Sequence, residues 1–307
     1  DEDGSAQIAT KGQGQIFEQV YQPWSGELSP RWMRNWTILR HHILGIFKKG
    51  HRPWNLTTKL FILVVMIASM TDIAMVVLFG VLGDTYFYDL WGVNRNNLYG
   101  HVLGFFPRNI LYYPVLAALL VGGMISEDRT HGTSALYFSR PVNRFDYASM
   151  KFLSVALILL LVINGTLILY YMADILVKGR GWAWIIDTLP MFLGAFLGGV
   201  ILSFTYTSIG LSLSSISRGK FFPAIGLIAI LMGTKSVAAI IDNLFDNSIL
   251  YVISPFDSVC HVVQELLGIE PTYSHPWAWS LVSIAIVNIL ALYLLANRVS
   301  SMEVTRE

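Results

Sequence analysis

The amino-acid sequence predicts an all-α polytopic membrane protein. Of its 307 residues, 54% are hydrophobic and only 13% are charged, whereas soluble domains carry about 25% charged residues. The apolar residues are concentrated in long runs, and a helix needs about 20 such residues to cross the hydrocarbon core of a bilayer. Composition and run length together favour helices that span the membrane.

Six runs are long and apolar enough to cross. They cover residues 60–82, 108–125, 150–176, 189–215, 221–241 and 277–296. The second run is the least regular at its start, because Pro107 and Pro114 lie there and Pro114 favours a kink. We predict one six-span domain over residues 31–307. A disordered or extended tail, rich in glycine and glutamine, is predicted over residues 1–30.

The segment before the first span predicts an amphipathic helix. Trp32, Trp36, Leu39 and Ile43 recur at helical spacing, with arginines and lysines around them. Such a helix suits the membrane interface, where aromatic rings lie at headgroup depth and basic side chains meet anionic lipids. A soluble helix packed on a partner protein is the alternative.

Two connecting segments are predicted to be ordered on the outer side. Residues 84–107 are rich in tyrosine, tryptophan and asparagine, which indicates an external cap or interfacial helix. Residues 242–276 are acidic and contain no lysine or arginine. Within them a short amphipathic helix is predicted, with Asp257 or Ser258 as its N-cap and Gly268 at its end. This helix is too short to span, so we expect an outer or re-entrant helix before the sixth span.

Lysine and arginine placement predicts the orientation. One side of the membrane has Arg95, Arg108, Lys178 and Arg180, and Lys235 lies inside the fifth span, whereas every other lysine and arginine falls on the opposite side. Cytoplasmic loops carry the excess of these residues. Both termini and residues 126–151 are therefore predicted to be cytoplasmic, in a multi-pass protein of the plasma membrane.

Catalytic and metal-binding signatures are missing from the sequence. It contains no HExxH, GxSxG or Walker-type motif. The single cysteine, Cys260, excludes an intrachain disulfide and a cysteine-cluster metal site. His131, His261 and His275 fall on two sides of the membrane, which excludes a metal site shared by all three. The net charge of +1 gives no basis for nucleic-acid binding. We predict a chain that is not an enzyme and holds neither metal nor ATP itself.

Two ionisable residues lie near the middle of predicted spans: Asp72 in the first and Lys235 in the fifth. Such residues are costly in a membrane and are candidates for function. Three interpretations stay open: a pair that fixes helix register, the lining of a substrate path, or two groups that never meet. An ion-coupled secondary transporter would use both, but it would also have internal inverted repeats, which the sequence does not show.

The polar segment from Ser126 to Lys151, between the second and third spans, is too long for a simple connection. It contains an acidic–basic cluster, then Gly-Thr, then Ser-Arg-Pro-Val-x-Arg, and finally a lysine that opens the next span. This order and position resemble the permease subunits of type-two ABC exporters. The resemblance extends from about residue 30 to the end of the chain.

The resemblance implies a pair of permeases, identical or different, that works with two separate ABC ATPase subunits, which hold ATP and Mg²⁺. Residues 126–148 would form the main coupling helix, and the turn at 217–220 would make a second contact. The implied ATPase-coupling residues are Glu127, Asp128, Arg129, Gly132, Thr133, Arg140, Pro141, Arg144, Arg218 and Lys220.

The implied activity is ATP-driven transport, with export favoured, of a substrate that the sequence does not identify. Besides the ion-coupled transporter, two alternatives stay open. One is a membrane enzyme with its site in the outer loops. The other is an ABC assembly used for signalling or for lipid or envelope handling.

Overall fold

The computed structural model describes residues 30–47, 55–104, 111–131, 143–219 and 221–304. Within these ranges every regular element is a helix, which confirms the all-α prediction. The predicted tail and the end of the chain after residue 304 lie outside them. The limits of the predicted domain therefore stay a prediction.

Five helices in the described ranges are long and apolar enough to cross a membrane. They are α2 (Asn55–Leu82), α7 (Arg144–Lys178), α8 (Trp182–Ile216), α9 (Phe222–Phe245) and α11 (Trp277–Val304). They correspond to the predicted spans one, three, four, five and six. The count of six spans is not confirmed.

The second predicted span is broken. Its described part is α5 (Tyr112–Val121), a helix of 10 residues that ends at Gly122. Gly123 then has a φ of 75°, in the left-handed region that favours glycine. The chain resumes in the short helix α6 (Ser126–Thr130). The helix therefore ends before residue 125, the predicted end of this span, because the glycine pair turns the backbone there.

The aromatic segment after the first span forms two short helices, α3 (Thr85–Trp91) and α4 (Arg95–Leu103). Helix α4 is buried against the other helices. Leu98 and Val102 are fully buried, and α4 packs against α7, α8 and the later helix α10 (Pro255–Leu267). This segment therefore contributes to the core.

Helices also lie where the sequence predicts the two amphipathic segments, namely α1 (Arg31–Phe47) and α10. Gly268 ends α10 with a φ of 62°, as predicted. The predicted N-cap is wrong. Ser254 is the cap, because its hydroxyl accepts a hydrogen bond from the Asp257 N–H, and Pro255 occupies the first helical position, where its fixed φ is favourable.

Helix α8 is the centre of the packing. It contacts α4, α5, α7, α9, α10 and α11. The outward side of α11, by contrast, exposes apolar side chains such as Ile286, Ile289 and Leu290. A helix that is apolar on both its packed and its outer side suits a lipid environment.

Two of the long helices contain one π-helical turn each, at Leu161–Gly165 in α7 and Ala229–Gly233 in α9. The first turn carries Asn164, whose side-chain amide donates to the Phe196 carbonyl of α8 at 3.2 Å. Gly199 makes room for this contact, since a Cβ there would lie 2.0 Å from Asn164 Oδ1. The irregular turn thus places a buried polar group against the central helix.

Candidate functional site

The short helix α6 is held at its start by the central helix. The backbone N–H groups of Ile125 and Ser126 both point at the buried Ser214 hydroxyl of α8, at 3.0 and 3.4 Å. Gly123 lies under the Glu127 side chain, and a Cβ at Gly123 would be 2.8 Å from the Glu127 carboxyl group. The break after α5 therefore places α6 directly against α8.

A buried lysine joins α6 to α7. Lys151 is fully buried, and its Nζ lies 2.6 Å from Asp128 Oδ2 and 2.9 Å from the Met124 carbonyl oxygen. The Tyr147 hydroxyl donates to the same Asp128 oxygen at 2.7 Å. Because hydrogen bonds between charged groups are short and strong, α6 is fixed to the first turns of α7.

Helix α6 also meets the connection between α8 and α9. The Thr130 hydroxyl lies 2.8 Å from the Arg218 carbonyl oxygen and 2.8 Å from that of Ser126. Thr130 and the Arg218 side chain are both exposed. The two segments for which the resemblance implies ATPase contact therefore touch each other.

Two further helices reach this end of the molecule. The Arg31 guanidinium of α1 donates to both carboxylate oxygens of Asp146. Nη2 lies 2.7 Å from Oδ1, and Nε lies 2.9 Å from Oδ2. Arg144 Nη1 donates to the Ser300 hydroxyl of α11 at 3.1 Å. We call this end, where α1, α6, α7 and the last turns of α11 meet, the α6 end.

The structure places half of the predicted coupling residues. Glu127, Asp128 and Arg129 are half-buried on α6, and the side chains of Arg144 and Arg218 are exposed at the same end. The other five lie outside the described residues, namely Gly132, Thr133, Arg140, Pro141 and Lys220. The predicted set was missing Lys151, Tyr147 and Thr130, which hold α6 in place.

Asp72 and Lys235 do not meet. Asp72 Oδ2 lies 3.3 Å from Nδ1 of the buried His101 on α4, and His101 Nε2 lies 2.9 Å from the Thr166 hydroxyl of α7. The His101 ring also stacks on Tyr170, with 5.6 Å between centroids. Sequence reasoning missed His101. The sequence does contain a signal, because His101 is the single histidine in the apolar stretch from Leu98 to Leu103. An aspartate within a spanning helix, such as Asp72, normally pairs with a polar group of this kind.

Lys235 lies near the middle of α9, ten residues before the end opposite α6, and has a different partner. Its Nζ lies 2.8 Å from Asp257 Oδ1 of α10. Asp257 is buried and accepts two further hydrogen bonds, from the Tyr273 hydroxyl at 2.9 Å and from the Ser254 hydroxyl at 2.7 Å. The buried carboxylate is therefore fully satisfied.

A cavity of about 320 Å³ lies beside this pair. The side chains that line it are Lys235, Asp242, Tyr251, Phe256, Asp257, Cys260, Thr272 and Tyr273. Burial and the nearby Asp242 carboxylate raise the pKa of Tyr251. Polar and aromatic groups are thus combined in a concave site, which is the usual composition of small-molecule pockets.

Behind the cavity three polar side chains form a closed cluster. His261 Nδ1 lies 3.1 Å from His275 Nε2 and 3.0 Å from the Ser280 hydroxyl. Burial, and repulsion from His275 when that ring is protonated, lower the pKa of His261 to about 4, and burial also lowers the pKa of His275. The cluster is therefore neutral at pH 7. No group of three or more histidine, cysteine or acidic side chains in the described ranges could hold a metal ion.

Comparison with known proteins identifies the family. Residues 55–299 match the ABC-2 family transporter protein family. The chain is also 29% identical over 158 residues to the inner membrane transport permease YhhJ of Escherichia coli K12 and to the permease of the same name in Shigella flexneri. The alignment covers 52% of this chain but only 37% of each relative. Since the family match extends over most of the chain, from α2 to α11, this protein is a member of the ABC-2 transporter family.

Proposed function

We propose that the chain is the transmembrane subunit of an ATP-driven exporter, and that α6 and the turn at 217–220 receive the movement of two partner ATPase subunits. A second permease copy completes the assembly. Family membership supports a permease role. The main support for coupling is the contact between Thr130 and Arg218, which joins the two candidate ATPase contacts into one surface.

The contacts at the α6 end give a route for force. A displacement of α6 is carried into α7 through Asp128 and the fully buried Lys151, and into α8 through the Ser214 hydroxyl. Nucleotide moves this equilibrium only if it binds one state of the ATPase pair more tightly than the other. ATP and Mg²⁺ stay on the partner subunits.

The same end carries the first and last described helices, through Arg31 with Asp146 and Arg144 with Ser300. This agrees with an assembly in which both termini are cytoplasmic, beside the ATPases. The alternative of an ion-coupled transporter has less support, because Asp72 and Lys235 belong to two separate pairs with different partners.

Site-specific photo-crosslinking tests the proposal without knowledge of the substrate. A photoreactive phenylalanine analogue replaces the exposed His131 next to α6, and in a matched chain it replaces the exposed Tyr86 of α3. We expect cross-linking in native membranes to attach an ABC-type ATPase, identified by mass spectrometry, to the His131 probe and not to the Tyr86 probe.

A second arm uses Glu127→Lys in the chain that carries the His131 probe. This charge reversal lies on the proposed contact and should lower the yield of cross-linked ATPase, whereas Glu265→Lys on α10 should leave it unchanged. An ATPase that co-purifies with the chain but is captured from Tyr86, or from neither position, would contradict the proposed contact surface.

A further inference from the structure

The cavity beside Lys235 extends along α9 from the end opposite α6. Asp242 lies three residues before the last residue of α9, which is about 4.5 Å along the helix axis. Lys235 lies ten residues before that last residue, which is about 15 Å. The lining is completed by Tyr251 in the 3₁₀ helix Ser248–Ile253, by α10, and by the connection that carries Thr272 and Tyr273. The cavity therefore reaches about three helical turns into the length of a spanning helix.

Helix α9 has two distinct sides here. Lys235, Ala238 and Asp242 recur at helical spacing on the side of the cavity, and Ala238 is buried. Val237, Ile240 and Leu244 are exposed on the other side, with exposed fractions of 58%, 58% and 71%. Charged side chains within a spanning helix normally face the protein or a water-filled cavity. The polar side of α9 thus belongs to the cavity and its apolar side to the surroundings.

The two carboxylates of the lining are not equivalent. Asp257 is 1% exposed and accepts hydrogen bonds from Lys235, Tyr273 and Ser254. Asp242 is half-buried and lies near Tyr251. Lys235 neutralises one of the two negative charges, so the lining retains one formal negative charge. The sequence has no lysine or arginine between Lys235 and Arg298 that could neutralise it.

The aromatic walls already hold one ammonium group. Lys235 Nζ lies 5.0 Å from the centre of the Phe256 ring and 6.0 Å from that of Tyr251. The Tyr251 and Tyr273 rings pack together with 5.3 Å between their centroids. Cations are attracted to such ring faces, and the attraction is stronger where water is partly excluded.

We propose that this cavity binds a small organic cation that carries an ammonium group and a short apolar body. Asp242 and the Tyr251 ring hold the ammonium group, and Tyr273 and Phe256 contact the apolar part. A volume of about 320 Å³ is at the small end of the range for ligand pockets, which excludes large ligands. The proposal concerns binding by the permease alone and does not depend on an ATPase.

Cys260 gives a readout inside the cavity, because it is the single cysteine of the sequence and belongs to the cavity lining although it is only 1% exposed. The experiment uses the full chain in lipid nanodiscs of phosphatidylglycerol. Its thiol is reacted with a methanethiosulfonate that carries trimethylammonium and with one that carries sulfonate. The labelling rate of Cys260 with each reagent is divided by the rate at which the same reagent reacts with a small thiol in solution, which corrects for the reagents' different intrinsic reactivities. We expect the cationic reagent to be favoured about tenfold by the negative lining.

Competition and matched variants identify the carboxylate. Choline should slow the labelling, whereas its neutral isostere 3,3-dimethylbutan-1-ol should not. Asp242→Asn should remove both the charge preference and the protection by choline. Asp246→Asn makes the same charge change four residues later, outside the lining, and should leave both effects unchanged; asparagine also tolerates the left-handed φ of 48° at that position. Cys260→Ser should show no labelling.

The source of the cation is distinguished by a second nanodisc composition. If labelling is slower in nanodiscs that contain phosphatidylethanolamine and no choline, the occupant is a lipid headgroup. If only free choline protects, the occupant is a soluble cation. Equal normalised rates for the two reagents, equal protection by the neutral isostere, equal effects of the two asparagine variants, or a thiol that reacts only after denaturation would each overturn the proposal.

Discussion

The molecule has a lysine–aspartate pair at each end, and the two pairs are built in opposite ways. At the α6 end the lysine is the more deeply buried residue of the pair, because the Lys151 side chain is 0% exposed and that of Asp128 is 19% exposed. At the opposite end the aspartate is the more deeply buried residue, since 29% of the Lys235 side chain is exposed and only 1% of that of Asp257. The same two residue types thus present different groups to their surroundings.

The difference indicates two different tasks. A fully buried ammonium group that also contacts the Met124 carbonyl oxygen fixes α6 to α7 and leaves no room for a ligand. The Lys235 ammonium group, beside the second carboxylate Asp242, contributes to the lining of a cavity. The α6 end therefore suits the proposed coupling role, and the opposite end suits the proposed binding of a small cation.

The largest difference between the ends is expected when each acid is neutralised. Asp128→Asn removes the counter-charge of the fully buried Lys151 ammonium group and should lower the free energy of unfolding by about 3–5 kcal/mol. Asp257→Asn should cost clearly less, because Lys235 can still be solvated from the cavity and reach the vicinity of Asp242. The melting temperature in mild detergent, followed by size-exclusion chromatography, measures both. Equal losses would show that the two pairs are equivalent.

Two glycines of α8 sharpen the comparison at the level of packing. A Cβ at Gly194 would lie 2.5 Å from the Leu266 carbonyl oxygen of α10, and a Cβ at Gly210 would lie 2.7 Å from a methyl group of Val121. Overpacking of this kind costs typically 1–3 kcal/mol. We expect Gly194→Ala to cost more than Gly210→Ala, because a backbone carbonyl cannot rotate away as a side chain can.

The same two variants differ in where they act. Gly194→Ala displaces α10, which carries Cys260, and should change the rate at which that thiol is labelled. Gly210→Ala acts on the contact with Val121 of α5 and should leave the labelling rate of Cys260 unchanged. Thermal melting serves as the common measure of stability. If Gly210→Ala altered the labelling as much, the cavity would not be a local feature of the far end.

The spans could be predicted from the sequence because run length and hydropathy decide whether a helix crosses a membrane. Their ends could not. Hydropathy places the end of the fifth span at residue 241, whereas α9 continues to Phe245, because Asp242 faces a cavity rather than lipid. The second span is predicted to extend to residue 125, because the average hydropathy of a run does not register the turn at Gly122 and Gly123.

The candidate site was predicted in part. The position of α6 between two spans and the charges on it are visible in the sequence, and family resemblance assigned them a role. The partners were not visible, because Asp128 meets Lys151 23 residues later and Asp72 meets His101 on a segment predicted to lie outside. Contacts of this kind follow from how the helices pack, and residue spacing does not encode them.

The effect of acidic pH on stability distinguishes the two ends once more. The pKa of His261 is lowered in the folded protein to about 4, below its ordinary value near 6.5. The unfolded chain therefore binds more protons than the folded one between these pH values. The stability that neutral His261 contributes is complete above pH 6.5 and is lost as the pH falls towards 4.

Thermal melting between pH 7.5 and 4.5 measures this effect. His261→Asn should make the decrease in melting temperature shallower, even if it lowers the melting temperature at every pH. The decrease should not vanish, because burial lowers the pKa of the neighbouring His275 as well. His131→Asn removes an exposed histidine at the α6 end and should leave the slope as it is. If the slope changed equally in both variants, the acid sensitivity would not arise from the closed cluster behind the cavity.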